Sequence, residues 1–364
     1  MARLDFALWD VVAGDIREPG AAADVFDEHI RLAQRIEELG WHSYFVIEHQ
    51  SNPGWLTTAP SVYLTAVARA TTRLRIGAMM WQLPFYNPLR LAQEVATLDQ
   101  LSRGRVEFGT GIGVHEHEFL RWGIDYYQRA AISEEVLQIV KLAWTQDEVT
   151  YDGQYFHFDE ALPEPKPYQQ PHPPIWAAVH SDAAVRFAAR NNYNVSQNLD
   201  TDDVVARKFD LYRKVWRECG HPGPLPRVFL QRSVFVAESD EKAHAEARKY
   251  LGAGGGGRVG RGPIAETRVG WGSHPRGMGR DSERPDDAVR GRTMEEAGQS
   301  YEFNIENGLA IVGSPDTVIA KLEAGRKHIG YDVFCTSFGL GRMPKQLVRR
   351  SLELFGKEVI PAFR

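Results

Sequence analysis

Apolar residues at Leu4, Phe6 and Leu8 alternate with polar ones and end at Trp9 and Asp10, a period of two that predicts a strand. From Ala22 to Leu39 the spacing changes. Val25, Ile30, Ala33, Ile36 and Leu39 recur at helical intervals, and the run stops at Gly40. A strand over 43–47, closing on Glu48, His49 and Gln50, completes a first β-α-β unit. The same alternation predicts a helix over 61–70, a strand over 74–80, and a loop punctuated by Pro84 and Pro88. The next helix ends at Gly104, where the missing Cβ suits a left-handed cap. Val106 and Phe108 then alternate with Arg105 and Glu107 before the chain opens into Gly109, Gly111 and Gly113. Glycines two apart after a strand have two readings, a tight turn or a cradle that lets backbone approach a phosphate or a flat ring.

Further along, a helix over 130–144 precedes an alternating stretch over 148–158 around Asp152-Gly153, a favoured hairpin turn and a small excursion from the main pattern. The proline-rich run 163–174 leads into strands over 175–179, from Val195, over 228–236 and over 332–336. Helices are predicted over 182–190, 202–219, 240–251, 314–329 and 345–355. Eight strand and helix pairs in strict alternation favour a parallel sheet with helical crossovers, and eight specifically favour a closed (β/α)8 TIM barrel in one domain over 1–364. The segment Gly252 to Asn307 breaks the pattern between strands seven and eight. A linker, an Arg/Gly-rich nucleic-acid segment and a lid compete for it. Its arginines are offset by Glu266, Asp281, Glu283, Asp286, Asp287, Glu295 and Glu296, and its place at the C-terminal rim of a barrel favours the lid.

Charge narrows the function. A net charge of -5 over 364 residues provides no basic footprint for nucleic acid or an anionic membrane. Cys219 and Cys335 are the only cysteines, too few for a disulfide scaffold and suited to a reducing cytoplasm. The N-terminal MARLDFALWD lacks the basic and long apolar regions of a signal peptide. Nothing approaches the ~18 apolar residues of a membrane helix.

In a barrel, ligands sit at the strand ends. Those ends collect Asp10, Glu48-His49, Met79-Met80-Trp81, Gly111 to Gly113 with His115, His180-Ser181, Gln197 and Phe338-Gly339. Glycine backbone, aromatic and thioether groups and few charges suit a large flat cofactor better than a sugar or a metal. The run His115-Glu116-His117-Glu118 has ligand-like spacing, and on a strand both histidines would share a face. No further ligand stands at suggestive spacing, so no metal is expected, with His117 and Glu118 on a solvated turn and His115 facing the pocket. His49 is the acid/base candidate, with Glu48 placed to orient or bias it. Ser181 and Asp182 open a helix whose amides suit a phosphate, or serve only as an N-cap.

Four stretches, IEELGWHSYFVIEHQ, RLRIGAMMWQLPFYNPLRLAQEVATLDQLSRGRVEFGTGIG, PKPYQQPHPPIWAAVHS and VGSPDTVIAKLEAGRKHIGYDVF, resemble the bacterial-luciferase-like flavin-dependent monooxygenases along nearly the whole chain. The resemblance implies a barrel with an insertion after strand seven and reduced FMN at its mouth, supplied by a separate reductase. It also implies a homodimer formed through 61–70 and 88–101. O2 would add at the flavin C4a as a peroxide, and one oxygen would enter an apolar organic substrate. His49 with Glu48 falls on the family's active-site histidine, and Met79-Met80 on its non-prolyl cis peptide beneath the ring. The family's reactive cysteine falls on Gly111, its phosphate arginine on Ile112, and the second histidine of luciferase's pair on Gln50. Thiol chemistry and light emission are therefore not implied. The resemblance assigns the flavin to Met79, Met80, Gly111, Gly113, His115, Val179, His180 and Ser181. Trp9, Asp10, Trp81 and Phe85, with Trp55 and Tyr86, suggest an aromatic-lined substrate space. Two rivals remain: a deazaflavin (F420) hydride-transfer oxidoreductase on the same barrel, and a non-catalytic flavin-binding or partner subunit.

Overall fold

The computed structural model describes residues 3–14, 16, 18–51, 54–252, 285–339 and 343–364. Twelve strands are found among them: β1 (Asp5–Asp10), β2 (Ser43–Val46), β3 (Arg75–Ala78), β4 (Trp81–Gln82), β5 (Phe108–Gly111), β6 (Val149–Asp152), β7 (His157–Ala161), β8 (Ile175–Ala178), β9 (Asn194–Gln197), β10 (Val228–Val236), β11 (Ala310–Gly313) and β12 (Val333–Ser337). Helices follow β1, β2, β4, β5, β8, β9, β10, β11 and β12, and of these strands β4 and β11 are not predicted by the hydrophobic periods. β6 and β7 pair antiparallel, forming the hairpin expected around Asp152-Gly153. No helix among the described residues is long and apolar enough to cross a membrane.

The chain forms two compact units, residues 1–10, 35–43 and 177–364 in one and residues 11–34 and 44–176 in the other. In the first, β12 lies between β1 and β10, all parallel, with Phe6 opposite Phe334 and Leu230 opposite Phe334. β9 and β11 also pair parallel with β10. Its apolar interior is aromatic. Phe6 meets Phe355 and Phe363 edge-on at 5.3 and 5.5 Å, and Trp41 donates to Thr336 Oγ1 at 3.2 Å, which satisfies its indole N–H inside the core. Helix Pro315–Ile329 shows how local sequence fixes a boundary. Ser314 accepts from the Thr317 amide, Pro315 occupies the first turn, and Gly330 ends the helix with φ 77°.

In the second unit β2 neighbours β3, and Met79 N–H donates to Val46 C=O at 2.8 Å. β4 pairs parallel with β5, setting Trp81 beside Thr110 and Gln82 beside Gly111. The strand predicted over 74–80 ends at Ala78, and the cis Met79–Met80 peptide lies between β3 and β4. The glycines of β5 and its exit are explained by packing. A Cβ on Gly109 would lie 2.3 Å from Ala78 C=O and 2.9 Å from Met79 Sδ, and one on Gly111 would lie 3.0 Å from Met80 Cγ. Gly109→Ala is therefore expected to destabilise the fold by ~1–3 kcal/mol, the usual scale for overpacking. Urea unfolding of purified variant and parent measures it, and equal midpoints would refute the packing role.

Residues 253–284 of the segment expected to form a lid lie outside the described residues. From 285 on, the segment is helical, over Pro285–Gln299 and Tyr301–Glu306, and leads into β11, none of which the sequence pattern predicted.

Candidate functional site

His49 follows β2 and is buried. Its Nδ1 lies 2.8 Å from Glu118 Oε1, and the Glu118 side chain has no solvent exposure. Burial alone would raise the Glu118 carboxyl. The His49 hydrogen bond and charge, His115 and the Gln82 amide outweigh it and hold Glu118 below the usual carboxylate range. Gln82 Nε2 donates to Glu118 Oε2 at 3.2 Å and to the Glu48 carbonyl at 2.9 Å, so one side chain ties both acidic positions together. Trp55 meets the His49 ring edge-on at 4.5 Å and His115 lies 5.0 Å from it, which restricts the imidazole's orientation.

These contacts correct two expectations. The group that orients His49 is Glu118, which sits in the short helix Glu116–Arg121 and not on a solvated turn. Glu48 instead accepts from Gln50 Nε2 at 2.7 Å, Gln82 N–H at 2.8 Å and Tyr86 OH at 2.9 Å. Burial pushes its carboxyl up to about 8, against the downward pull of those three hydrogen bonds, and Glu118 adds to the rise. Nothing in the local sequence distinguishes Glu118 from the half-buried Glu116 beside it. Its partner lies 69 positions away.

The Met79–Met80 cis bond stands where the resemblance implies one. Gly113 has φ +76°, and a Cβ there would come within 2.8 Å of the Phe119 ring and of Gln82 Oε1, so bare backbone is required beside this network. His115 precedes the Glu116 helix, half-buried, with His117 stacked on it at 5.4 Å. Trp81 is fully buried against Phe108 at 5.2 Å, with its indole 3.3 Å from Ser61 Oγ. It is a core residue, not a contact surface. Phe85 is half-exposed and packs on Phe119 and Trp122 at 4.7 and 5.7 Å.

In the other unit, Ser181 caps helix Asp182–Arg190 by accepting from the Ala184 amide at 3.2 Å. His180 Nδ1 is buried with no hydrogen-bond partner among the described residues, and burial with Arg290 and Lys208 nearby holds its ring well below the ordinary histidine value. Lys208 Nζ donates to the His180 carbonyl at 2.5 Å and to Asp200 at 2.7 Å, and Arg290 donates to Asn198 Oδ1 at 3.2 Å. Val179 does not belong in the candidate ligand set through its backbone. Its N–H donates to Ser196 C=O at 3.1 Å and its carbonyl accepts from Gln197 Nε2 at 2.8 Å. Asp10 is buried, and the half-exposed Trp9 has an Nε1 buried with no partner among the described residues.

A sequence profile described as luciferase-like monooxygenase matches residues 6–332. The oxygenase component of the flavin-dependent trigonelline monooxygenase of Acinetobacter baylyi is 26% identical over 93% of this chain and 90% of its own length. Among solved structures, the monooxygenase RslO1 from Streptomyces bottropensis superposes with TM-score 0.79 at 23% identity, covering 99% of this chain and 100% of that one. The oxygenating constituent of 3,6-diketocamphane monooxygenase from Pseudomonas putida, a type II Baeyer-Villiger enzyme in complex with FMN, superposes with TM-score 0.75 at 23% identity, covering 99% and 98%. Their fold is the TIM-barrel class that the eight-fold alternation predicts.

Proposed function

The chain belongs to the luciferase-like family of flavin-dependent monooxygenases, and on that premise we propose that it is the oxygenase component of a two-component system, taking reduced FMN from a separate reductase and inserting one oxygen of O2 into an apolar organic substrate. The observation that carries the reading is the buried His49–Glu118 pair, tied through Gln82 to the short strand that follows the cis Met79–Met80 peptide. The fit to a flavin rests on His180, whose Nδ1 is buried without a hydrogen-bond partner among the described residues next to a helix start. Met79, Met80, Gly111, Gly113 and His115 are assigned to the ring. The His180 and Ser181 amides are assigned to the phosphate, with Arg290 and Lys208 as the basic groups that stand in for the arginine absent at Ile112.

Bound reduced flavin supplies the electrons that activate O2. The chain's own residues hold and move a proton. Glu118 accepts from His49 Nδ1–H, which fixes the tautomer and leaves Nε2 as the atom that exchanges a proton with flavin or substrate. Trp55, packed edge-on against the imidazole, keeps water from that exchange. Trp9, Asp10 and Phe85 are assigned to the substrate, with the Trp9 indole N–H offered to a substrate oxygen. Dimerisation is assigned to helices Pro60–Ala70 and Pro88–Ser102, where Val62 and Leu101 stand exposed.

The test is oxygen uptake coupled to oxygenated product with a flavin reductase and a panel of apolar ketones and aromatics, alongside equilibrium binding of reduced FMN and reduced F420. Tighter binding of F420 with hydride transfer and no oxygen uptake would replace this reading by the deazaflavin one. Binding without any turnover would leave a non-catalytic subunit. Arg290→Met is expected to weaken FMN ~10-fold while leaving riboflavin unchanged, since only the former carries the phosphate. Equal losses for both would remove Arg290 from the phosphate.

A further inference from the structure

One ligand atom each from His49, His115 and Glu118 lies within 4.8 Å of the other two. Two imidazoles and a carboxylate form the donor set of open three-ligand sites that complete their coordination with water, and their intermediate softness suits zinc, cobalt and nickel over magnesium or calcium. We propose that His49, His115 and Glu118 form a reversible site for a divalent transition-metal ion, whose occupancy withdraws His49 and Glu118 from proton handling.

Two features of the surroundings support it. First, the carboxylate is already held from its far side, because Gln82 Nε2 donates to Glu118 Oε2 and leaves Oε1 directed at His49. Outer hydrogen bonds of this kind orient metal ligands. Second, Glu118 is fully buried and His49 nearly so, while His115 is half-buried at the head of the Glu116 helix. Metal–nitrogen bonds of about 2.0–2.1 Å place tetrahedral ligands roughly 3.4 Å apart, so closure from 4.8 Å needs a movement of about an ångström, and His115 is the member placed to make it. Binding displaces the proton shared between His49 Nδ1 and Glu118 to solvent, with no electron transfer. The metal site needs only the three side chains. Its inhibitory consequence rests on the monooxygenase reading above.

The experiment is a titration of chelator-treated, flavin-free protein with Co2+, followed by the visible d–d absorption of the ion and by competition with Zn2+. One equivalent should bind with nitrogen-ligated spectra, and Zn2+ should abolish them. His115→Ala should weaken binding by more than the ~10–100-fold typical of losing an outer-shell partner, and Gln82→Leu by ~10-fold. His117→Ala should leave it within twofold. His115→Ala is the primary variant because a half-exposed histidine can be lost without unfolding, and His49→Gln provides a second test. The absence of stoichiometric binding would overturn the proposal. So would binding that survives both His115→Ala and His49→Gln. Zn2+ should also inhibit turnover, reversibly by chelator. If no turnover exists to inhibit, the Co2+ titration still decides the site alone, so failure of the functional reading and failure of the metal site give different results.

Discussion

His49→Ala is expected to lower turnover by ~10² or more while reduced-flavin affinity stays within severalfold, the scale of loss for a positioned acid/base group. His49 is buried, bonded through Nδ1 to Glu118 at 2.8 Å and packed edge-on against Trp55 at 4.5 Å. Alanine removes the titratable group and also leaves the Glu118 carboxylate buried without its partner, which carries a stability cost of ~3–5 kcal/mol. His49→Gln separates the two effects. Its amide donates to Glu118 but exchanges no proton, so the folded variant should lose as much turnover as the alanine. Glu118→Gln should cost ~10-fold or more in kcat with KM little changed, because its amide sets a donor against Gln82 Nε2 and loosens the imidazole. Full turnover in folded His49→Gln would end the acid/base assignment. Unchanged kcat in Glu118→Gln would end the positioning role.

Across neutral pH, Glu48 should make the folded protein less stable as pH rises. Its carboxyl is buried and raised from 4.5 to about 8. Below about pH 4.5 both folded and unfolded chains carry the proton, and the contribution is fully present. Above that, the unfolded chain releases the proton while the folded chain holds it up to about pH 8, so stability falls across this window and the contribution is lost above it. A shift of this size corresponds to roughly 4–5 kcal/mol. While neutral, Glu48 can give its proton only to the Tyr86 hydroxyl, since Gln50 Nε2 and Gln82 N–H are donors alone. Tyr86 is itself pushed well up by burial and by Glu48. Glu48→Gln removes the titration. Its unfolding free energy should vary less between pH 5 and 9 than the parent's, even though the amide is poorly matched to Gln50 and lowers stability at acid pH. Urea unfolding across that range compares them, and parallel curves would show that Glu48 is charged in the fold.

The sequence by itself determined most of the elements, with β4, β11 and the helices Pro285–Gln299 and Tyr301–Glu306 as exceptions. Their alternation is a local property, since Leu4, Phe6 and Leu8 on one face and Val25, Ile30, Ala33 and Ile36 along another can be read within a few residues of one another. Asn87-Pro88, Ser314-Pro315 and Gly330 likewise mark helix ends because capping bonds span three or four positions. His49 and the Met79–Met80 bond were legible through family resemblance, as positions at strand ends.

Only the tertiary structure decided how those positions are served. Glu118 and His49 meet across 69 residues, and Glu48 points away to Gln50, Gln82 and Tyr86, although it adjoins His49 in sequence. Both Glu48 and His49 lie beyond the end of β2, where no strand or helix period in the local sequence fixes which way adjacent side chains point. The β9 backbone engages Val179, and Phe108 and Ser61 engage Trp81, partners that no local pattern names. The protonation state of Glu48 follows from a burial that depends on the whole surrounding unit. That is why its ordinary sequence context gives no sign of it.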